Sequence, residues 1–412
     1  MRILSVTETY APFLEFGGPP VKVRALAQGL AGHGNEVSVL TADWGLEARL
    51  SKEGATGAAQ TPYGWSRVES GVKAIYLPTW LRYRAVSWNP AVKRYCREQL
   101  EDFDLTHIYG LYDFLGPAVA AACVKRNIPY VLEPIGMFVP IVRNLRMKRV
   151  YHALYGRKLF EGAGAIVATS EQEVEELASG GVERGKIVLR RNGVEVPALW
   201  PERGAFRKGL GIPTDAKLIL FLGRLSQKKS PDLLLKAFTS ISAESGDANP
   251  QLVFAGPDEG GMKAQLEEMA AQLQVSSRVR FTGPIFGEAK WAAYRDADVF
   301  VLPSQNENFG NTAAESAAAG TPVVVTEQCG IAPLLADAAG LVVGHDADAL
   351  AGAIQRLIGD PELHSRFVAG CATVTARLGW EEPVQEMEAV YNRLAFKRAP
   401  SAKSGRWNSE SE

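Results

Sequence analysis

Residues that bind metals or form disulfides are scarce in this sequence, which has five His and four Cys among 412 residues. Cys96, Cys123, Cys329 and Cys371 show no CxxC spacing, and no His stands near them to complete a metal site. This pattern excludes a zinc ribbon and a disulfide-rich secreted fold. It predicts reduced, mostly buried thiols in a cytosolic protein.

Long apolar runs are also missing, because none reaches the ~18 residues that a bilayer-spanning helix needs. The N-terminal segment MRILSVTETY is too short, and becomes polar too soon, to be a signal peptide. The sequence therefore predicts a cytoplasmic protein that is at most attached peripherally to the inner face of a membrane.

Net charge of either sign is small, since 45 Lys and Arg nearly balance 46 Asp and Glu. No global field favours nucleic acid, so the sequence predicts no nucleic-acid partner. The charge is uneven, however, because residues 82–158 hold 13 Lys and Arg against six Asp and Glu. This basic segment is either an ordinary solvated face or a surface for an anionic partner.

Short, β-branched apolar runs alternate with helical patterns along most of the chain. Examples are RILSVT, EVSVLT and AIVATS in the first half, and KLILFLG, QLVFAG, DVFVLP and TPVVVT in the second. This alternation is typical of α/β folds in which helices cover both faces of a parallel sheet. Residues 190–204 carry Asn-Gly, two prolines and little periodicity, which indicates a linker.

The predicted organisation is two successive doubly wound, Rossmann-like domains. The first spans 1–195 and the second 196–376, followed by a helix at 377–396 and a polar, disordered tail at 397–412. Ligands of such sheets bind at the carboxyl ends of the strands. That rule selects three polar stretches, TETYAPFLEFGGPP, GRLSQKK and SQNENFGN.

Two of these stretches carry groups that suit phosphates. Gly17 and Gly18 precede a helix whose N-terminus favours an anion, although a plain loop explains the pair equally simply. Arg224 and Lys229 leave a buried strand just before a helix near Pro231. Two cations beside a helix start suit a diphosphate, and a solvated basic turn is the alternative.

The third stretch places Glu307 and Glu315 around a predicted helix start. Thr312 and Glu315 have the spacing of a capping box, which is a structural explanation for Glu315 alone. Glu307 lies in the preceding loop, where a carboxylate can accept hydrogen bonds from hydroxyl groups. Gly310 and Asn311 offer backbone N–H groups to an anion.

Metal and nucleophile chemistry find little support in the sequence. Asp296 and Asp298 precede their strand, at the wrong end for a ligand, and the pair at Asp346 opens a helix, where capping explains it. His107 stands alone at a strand end, without a Ser/His/Asp or Cys/His set. The sequence therefore predicts neither a metal nor a cofactor.

Taken together, the motifs resemble the retaining glycosyltransferases of family 4, which have the GT-B fold of two Rossmann-like domains facing across a cleft. The matching segments cover nearly the whole chain: DLTHIYG, IPYVLEPIGMF, KIVLRRNGVE, GRLSQKKSPDLLLKAF, VRFTGPIFGE and ADVFVLPSQNENFGNTAAESAAAGTPVVV. GWEEPVQEMEAVYNRL is similar to the family's closing helix, which crosses back to the N-terminal domain. The resemblance implies a C-terminal domain for a nucleotide-diphosphate sugar and an N-terminal domain for the acceptor.

The resemblance also implies roles for individual residues. Arg224 and Lys229 would hold the donor's diphosphate. Glu315 would bind the ribose, and Glu307 would hold hydroxyls of the transferred sugar. Gly18 would bring a backbone N–H to the phosphates from the opposite domain. The remaining donor-binding positions, which line the base or shape the loop at the sugar and phosphate, are Thr282, Ile285, Phe309, Gly310 and Asn311.

One position departs from the family's pattern. Ile135 stands in EPIGMF where the family usually has a His near the sugar's reacting side. Glu133, at a position more often occupied by Thr, is a candidate to compensate. The acceptor-side candidates are His107, Glu133 and Arg143.

The expected reaction is transfer of a sugar from a nucleotide-diphosphate sugar to a glycan or lipid-linked acceptor, with retention, in polysaccharide or lipopolysaccharide-type biosynthesis. Glu307, Arg224 and Lys229 are the expected catalytic residues, because stabilising the departing diphosphate is the main task. An epimerase of the same fold is one alternative. A degenerate sugar-nucleotide-binding subunit is the other, favoured by Ile135.

Overall fold

The structure is a computed structural model that describes residues 1–53, 57–83, 86–139, 150–244 and 250–396. The chain divides into two compact units. Unit 1 contains Met1–Val167, Gly180–Val188 and the described residues from Val384 on; unit 2 contains Ala168–Ser179 and Leu189–Pro383. The boundary predicted at residue 195 falls inside unit 2, because two segments before that point belong to unit 2. The predicted tail, 397–412, lies outside the described residues.

Unit 1 contains most strands of a nine-stranded sheet and a separate two-stranded ribbon. The strands are β1 Arg2–Val6, β2 Glu36–Ala42, β3 Ala58–Thr61, β4 Gly64–Glu69, β5 Val72–Leu77, β6 Leu81–Tyr83, β7 Val86–Trp88, β8 Leu105–Tyr109, β9 Tyr130–Glu133, β10 Ala165–Ala168 and β11 Ile187–Leu189. The sheet order is β11-β10-β9-β8-β1-β2-β5-β4-β3, and β6 pairs with β7. β1 runs parallel to both β2 and β8, with Val6 opposite Leu40 and Ile108.

The first helix of unit 1 shows how sequence spacing builds a buried face. Val23, Leu26, Ala27 and Leu30 are all buried, and their spacing of three and four residues places them on one stripe of the helix. Burying a side chain such as Leu26 contributes roughly 1.5–3 kcal/mol. The helices in this part of the chain are Gly18–Gly32, Leu46–Glu53, Ala91–Gln99, Leu115–Lys125 and Arg157–Gly162, with a π-helical turn at His152–Gly156.

The last helix, Glu381–Phe396, belongs to unit 1 from Val384 onward. Met387 and Tyr391 are completely buried. A side chain on Gly29 would collide with Val384, so the absence of one lets the two helices approach closely. This helix is therefore part of the core of unit 1.

Unit 2 contains a six-stranded sheet in which each neighbouring pair is parallel. Its strands are β12 Leu218–Leu222, β13 Gln251–Ala255, β14 Val279–Gly283, β15 Val299–Leu302, β16 Val323–Thr326 and β17 Gly340–Val343. The order is β14-β13-β12-β15-β16-β17, the doubly wound arrangement of nucleotide-binding sheets. The helices are Glu171–Ser179, Ala205–Leu210, Pro231–Glu244, Met262–Gln272, Gly287–Asp296, Asn311–Ala318, Ala332–Leu335, Ala347–Gly359 and Pro361–Thr375.

Both faces of the unit 2 sheet are covered. Leu218, Leu220 and Leu222 point into one core cluster, while Ile219 and Phe221 point into the other. Because β12 is apolar on both faces, it reads as a continuous hydrophobic run, as expected for a central parallel strand. The carboxyl ends of the six parallel strands therefore lie along one edge of the sheet. No helix within the described ranges is long and apolar enough to cross a bilayer.

Candidate functional site

The strand order of unit 2 reverses between β12 and β15, and two polar loops leave the sheet at that point. One loop spans residues 223–230 and the other spans residues 303–310. They are joined by a hydrogen bond from the Gln305 N–H to the Lys228 carbonyl at 3.0 Å. The crevice at such a reversal is where open parallel sheets bind their ligands.

The two loops bring Lys229 and Glu307 together as an ion pair. The side chains are 18% and 17% exposed. Burial lowers the pKa of Lys229 to about 7, and the positive charges of Arg224 and Lys228 add to that shift. The Glu307 carboxylate acts in the opposite direction, because a neighbouring negative charge favours the ammonium form.

The backbone of Glu307 is fixed by the loop after β16. The Glu307 N–H donates to the Gln328 carbonyl, and the Glu307 carbonyl accepts from the Gly330 N–H, both at 2.9 Å. Gly330 leaves no room for a side chain, since a Cβ there would collide with the Asn308 carbonyl. The backbone of Glu307 is therefore held in place by this loop.

The loop after β12 carries three cations. Arg224 is 66% exposed, and its guanidinium lies 3.6 Å from the Glu259 carboxylate. Burial lowers the pKa of Lys228, while the charges of Glu176 and Glu173 oppose the shift. The sequence analysis selected Arg224 and Lys229 and did not select Lys228. Two adjacent lysines in a sequence do not reveal which of the two side chains faces the crevice.

Glu315 lies in the helix Asn311–Ala318, but the predicted capping box does not form. The residue before the helix is Gly310, with φ of 105° and no side-chain cap, so Thr312 already lies inside the helix. The Glu315 carboxylate instead accepts hydrogen bonds from the Lys290 ammonium at 2.7 Å and the Tyr294 hydroxyl at 2.9 Å. The capping-box interpretation is wrong because the glycine adopts a left-handed conformation that starts the helix earlier.

We expect Glu315→Ala to destabilise unit 2. The Tyr294 side chain is 0% exposed, and the substitution would remove the acceptor for its hydroxyl. Losing a hydrogen bond to a charged group costs ~1.5–3 kcal/mol, which corresponds to a melting temperature lower by roughly 3–12 °C for a unit of this size. Differential scanning calorimetry measures the effect. The exposed Glu288→Ala is the matched control, and an unchanged melting temperature for Glu315→Ala would contradict the role of these contacts.

Three neighbouring strands of the sheet end in glycine: Gly223 after β12, Gly256 after β13 and Gly283 at the end of β14. The Gly256 N–H donates to the Gly283 carbonyl at 2.8 Å. A side chain on Gly256 would collide with the Gly223 carbonyl. This part of the edge therefore presents bare backbone, and Gly256 lets the ends of β12 and β13 approach closely.

The other predicted donor-side residues have different surroundings. Thr282 lies at this edge, and its hydroxyl donates to the Gly283 carbonyl at 2.8 Å. Ile285 packs against the core. Phe309 is 3% exposed, and its side chain anchors the loop to a core cluster of unit 2. The Asn311 side-chain oxygen accepts from the Asn192 amide at 3.1 Å. Contact of these residues with a donor stays a prediction.

Comparison with known proteins identifies the family. The chain matches the model of the glycosyl transferase 4-like domain over residues 17–193 and that of the glycosyl transferases group 1 over residues 202–370. It is 30% identical over 420 residues to the D-inositol 3-phosphate glycosyltransferase of Xylanimonas cellulosilytica, covering 93% of each chain. The chain belongs to the group 1, family 4 glycosyltransferases.

Two further similarities support this assignment. D-inositol 3-phosphate glycosyltransferase 2 of Catenulispora acidiphila is 33% identical over 245 residues, which is 57% of each chain. HepE from Anabaena, solved with UDP and glucose, matches with a TM-score of 0.74 at 16% identity, over 95% of this chain and 100% of HepE. The structural likeness confirms the predicted GT-B fold with two Rossmann-like units.

Gly18 opens the first helix of this glycosyltransferase, in unit 1. Gly17 precedes it with φ of 108°, and prolines occupy the next two helical positions. Because proline has no N–H, only Gly18 and Val21 among the first four helical residues can donate to an anion. The phosphate contact predicted for Gly18 stays a prediction, and few backbone donors are available to it.

The acceptor-side candidates require a correction. His107 and Glu133 are both 0% exposed, because β8 and β9 are interior strands of the nine-stranded sheet. Neither side chain reaches the surface to contact an acceptor directly. Arg143, the third candidate, lies outside the described residues.

Within the described ranges of this glycosyltransferase, no three His, Cys, Asp or Glu side chains are arranged to hold a metal ion. Asp298 instead binds Arg207 at 2.6 Å and the Leu218 N–H at 2.7 Å. Asp346 caps its helix by accepting from the Ala349 N–H at 2.9 Å, as predicted. The four cysteines are buried and free.

Proposed function

We propose that this glycosyltransferase transfers a sugar from a nucleotide-diphosphate sugar with retention of configuration. The observation that carries the proposal is the ion pair of Lys229 and Glu307 at the strand reversal of unit 2. Arg224 and Lys228 lie on the same loop as Lys229. The crevice thus combines cations for a diphosphate with a fixed carboxylate for sugar hydroxyls.

The ion pair suggests how the donor is received. Before the donor binds, the Glu307 carboxylate balances the Lys229 ammonium. A bound diphosphate brings more negative charge, so Lys229 turns towards it. The Glu307 carboxylate is then released to accept hydrogen bonds from hydroxyls of the sugar. Binding thereby sets both groups in their working positions.

In the proposed reaction, the bond from the anomeric carbon to the leaving diphosphate oxygen breaks while the bond to the acceptor oxygen forms on the same face. The acceptor's proton passes to the departing diphosphate oxygen. Arg224 and Lys229 stabilise the negative charge that develops on the diphosphate, which is the principal electrostatic contribution. Glu307 orients the sugar and favours the positive charge that develops at its ring.

The names of similar proteins narrow the substrate classes to be tested. HepE was solved with UDP and glucose, so a UDP-hexose is the first donor to try. The D-inositol 3-phosphate glycosyltransferases suggest a phosphorylated polyol as the acceptor. The sequence analysis favours a glycan or lipid-linked acceptor in polysaccharide or lipopolysaccharide-type biosynthesis. A phosphate group is common to the inositol and lipid-linked classes.

The test is transfer from UDP-, GDP- and ADP-α-hexoses to inositol 3-phosphate and to a lipid-linked phosphate, followed by proton NMR of the anomeric signals. We expect an α-linked product from an α-linked donor. A β-linked product would refute retention. An epimerised donor without a glycoside would favour the epimerase reading, and donor binding without any turnover would favour a degenerate binding subunit.

We also propose peripheral contact with an anionic membrane through unit 1. Three aromatic side chains are exposed there: Trp88 by 46%, Phe114 by 39% and Tyr155 by 39%. The ring centroid of Phe114 lies 5.5 Å from that of Trp88 and 6.3 Å from that of Tyr155. Exposed aromatic rings of this kind suit the interface between water and lipid. Arg157 is 82% exposed nearby in the sequence, although the densest basic part of 82–158 lies outside the described residues.

We expect the double substitution Trp88→Ser and Phe114→Ser to abolish sedimentation with vesicles containing phosphatidylserine, because it removes apolar area from the patch. Leu199→Ser is the matched control, since Leu199 is an 88% exposed apolar residue of unit 2. Vesicle sedimentation at low and moderate salt is the measurement. If the parent protein sediments at neither salt concentration, membrane contact is refuted.

A further inference from the structure

Unit 1 buries a connected set of charged and polar side chains that the proposed reaction does not use. The Lys22 ammonium lies 2.5 Å from one Glu133 oxygen, and His107 Nε2 lies 3.6 Å from the other. His107 Nδ1 lies 2.6 Å from the Tyr391 hydroxyl. Lys22 is 3% exposed, and the other three residues are 0% exposed.

Such a buried ion pair is costly for stability alone. Removing two charges from water has a large penalty, and replacing a buried pair with apolar residues is often neutral or stabilising. The Lys22–Glu133 pair therefore calls for an explanation other than the stability of unit 1. The chain segment that follows Glu133 provides one.

Glu133 is the last residue of β9, and a strained turn begins directly after it. Ile135 has φ of 56° and Gly136 has φ of 65°. The Met137 N–H donates to the Pro134 carbonyl at 3.2 Å, which closes the turn. Two left-handed central residues are typical of a type I′ turn, where Asn-Gly is preferred. For a β-branched residue such as Ile135, the left-handed conformation is strained, because its Cβ comes too close to the following carbonyl oxygen.

The surrounding contacts fix Glu133, the residue directly before this strained turn. The Glu133 side chain is fixed by Lys22, and the Glu133 carbonyl accepts from the Gly110 N–H at 2.8 Å. Lys22 itself lies one turn into the helix that begins at Gly18. Residues 135–138 are partly exposed at the carboxyl edge of the sheet. Backbone strain persists only where the surroundings enforce it, and it is concentrated at functional sites.

We propose that Lys22 and Glu133 are positioning residues for the transfer reaction. Their buried ion pair holds residues 134–137 in the left-handed turn, and the turn shapes the carboxyl edge of the unit 1 sheet, where an acceptor is expected. The inference rests on the proposed function. It assigns to Glu133 an indirect role, from inside the sheet, in place of the direct acceptor contact expected from the sequence.

The first arm of the test is a double-mutant cycle with Lys22→Met, Glu133→Gln and both together, measured by calorimetry and steady-state kinetics. Each single variant removes the ion pair but leaves the other charge buried, so both should melt lower than the parent. In the double variant no charge remains, so we expect the melting temperature to recover. Its kcat should still fall by ~10–100-fold, because a small displacement of groups in an active site slows the reaction by this much. Its donor KM should stay within about twofold of the parental value, since ground-state donor binding is not altered.

The second arm is hydrogen–deuterium exchange of the backbone amides of residues 135–137, which does not depend on activity. In the double variant these amides should exchange at least roughly tenfold faster, since the turn opens locally. Adding Ile135→Asn to the double variant should restore slow exchange, because Asn-Gly favours the same turn without the ion pair. Arg94→Met, in an exposed ion pair of unit 1 that is 3.1 Å long, is the control.

The outcomes separate the two proposals. A parent protein that transfers no sugar refutes the proposed function. Hydrogen–deuterium exchange would still test whether the ion pair holds the turn. A double variant with parental kcat and parental exchange refutes the positioning role. Fast exchange that Ile135→Asn does not restore also refutes it, because the pair would then act on the sheet as a whole and not on the turn.

Discussion

Replacing Lys229 with Met is expected to lower the rate of sugar transfer by ~10²–10³-fold, the usual effect of removing one preorganised electrostatic group from an active site. The ammonium is the cation that the structure places against Glu307 at the strand reversal of unit 2. Without it, the departing diphosphate loses a charged partner. Nucleotide diphosphate affinity should also fall by roughly 10–100-fold, since a charged hydrogen bond is worth ~1.5–3 kcal/mol.

Steady-state kinetics and titration calorimetry with the nucleotide diphosphate measure the two effects. Lys236→Met is the control, because Lys236 is an exposed lysine on the helix that follows the same loop. Parental transfer and parental affinity in Lys229→Met would remove Lys229 from the site. A loss of affinity with unchanged kcat would restrict Lys229 to ground-state binding.

Replacing Glu307 with Gln is expected to shift the pH dependence of nucleotide binding to lower pH. Burial and the neighbouring cations lower the pKa of Lys229 to about 7 in the parent, where the Glu307 carboxylate already favours the ammonium form. In Glu307→Gln nothing replaces that negative charge. The pKa of Lys229 should therefore fall further, so that nucleotide diphosphate binding weakens at a lower pH in the variant than in the parent.

The same substitution should reduce transfer at every pH, because Gln cannot supply a carboxylate to the sugar. The expected loss is about tenfold to a hundredfold, from a charged hydrogen bond that is lost in the transition state. Calorimetry at pH 6 and pH 8, with transfer rates at both, distinguishes the two effects. The same pH dependence in the parent and in Glu307→Gln would show that Glu307 does not control the charge of Lys229.

The fold could be predicted from the sequence because the pattern of apolar strands and intervening helices is local and is repeated along the chain. Strands such as LILFL and VFVL are apolar on both faces, and helical patterns separate them, so parallel sheets follow directly. Unit boundaries were harder to predict, because they depend on which contacts a segment makes. Residues 168–179 and 189–195 precede the predicted boundary and belong to unit 2.

Only part of the candidate site could be predicted from the sequence. Arg224, Lys229 and Glu307 could be chosen because the ends of β12 and β15 bring their loops together. The partners of Glu315 could not, because Lys290 and Tyr294 lie on another helix and approach only through packing. A Thr and a Glu at capping-box spacing give the same local pattern whether or not the helix begins at the Thr.

Buried polar groups were the other source of error. His107 and Glu133 stand at strand ends, where ligand-binding residues are common, yet both are buried, and Glu133 contacts both His107 and Lys22. Spacing along the chain does not reveal a partner 111 residues away. The left-handed conformation of Ile135 was equally hidden, because the sequence alone favours an extended conformation for a β-branched residue.

Hydrogen–deuterium exchange of the parent protein, with and without UDP, GDP or ADP, tests the central claim most directly because it needs no acceptor. The account predicts that at least one of these nucleotides slows exchange in residues 223–230 and 304–313, the two loops and the helix start at the strand reversal of unit 2. Lys229→Met should lose this protection at the same nucleotide concentration. Nucleotide binding that leaves both loops unprotected and protects another part of the chain would contradict the account.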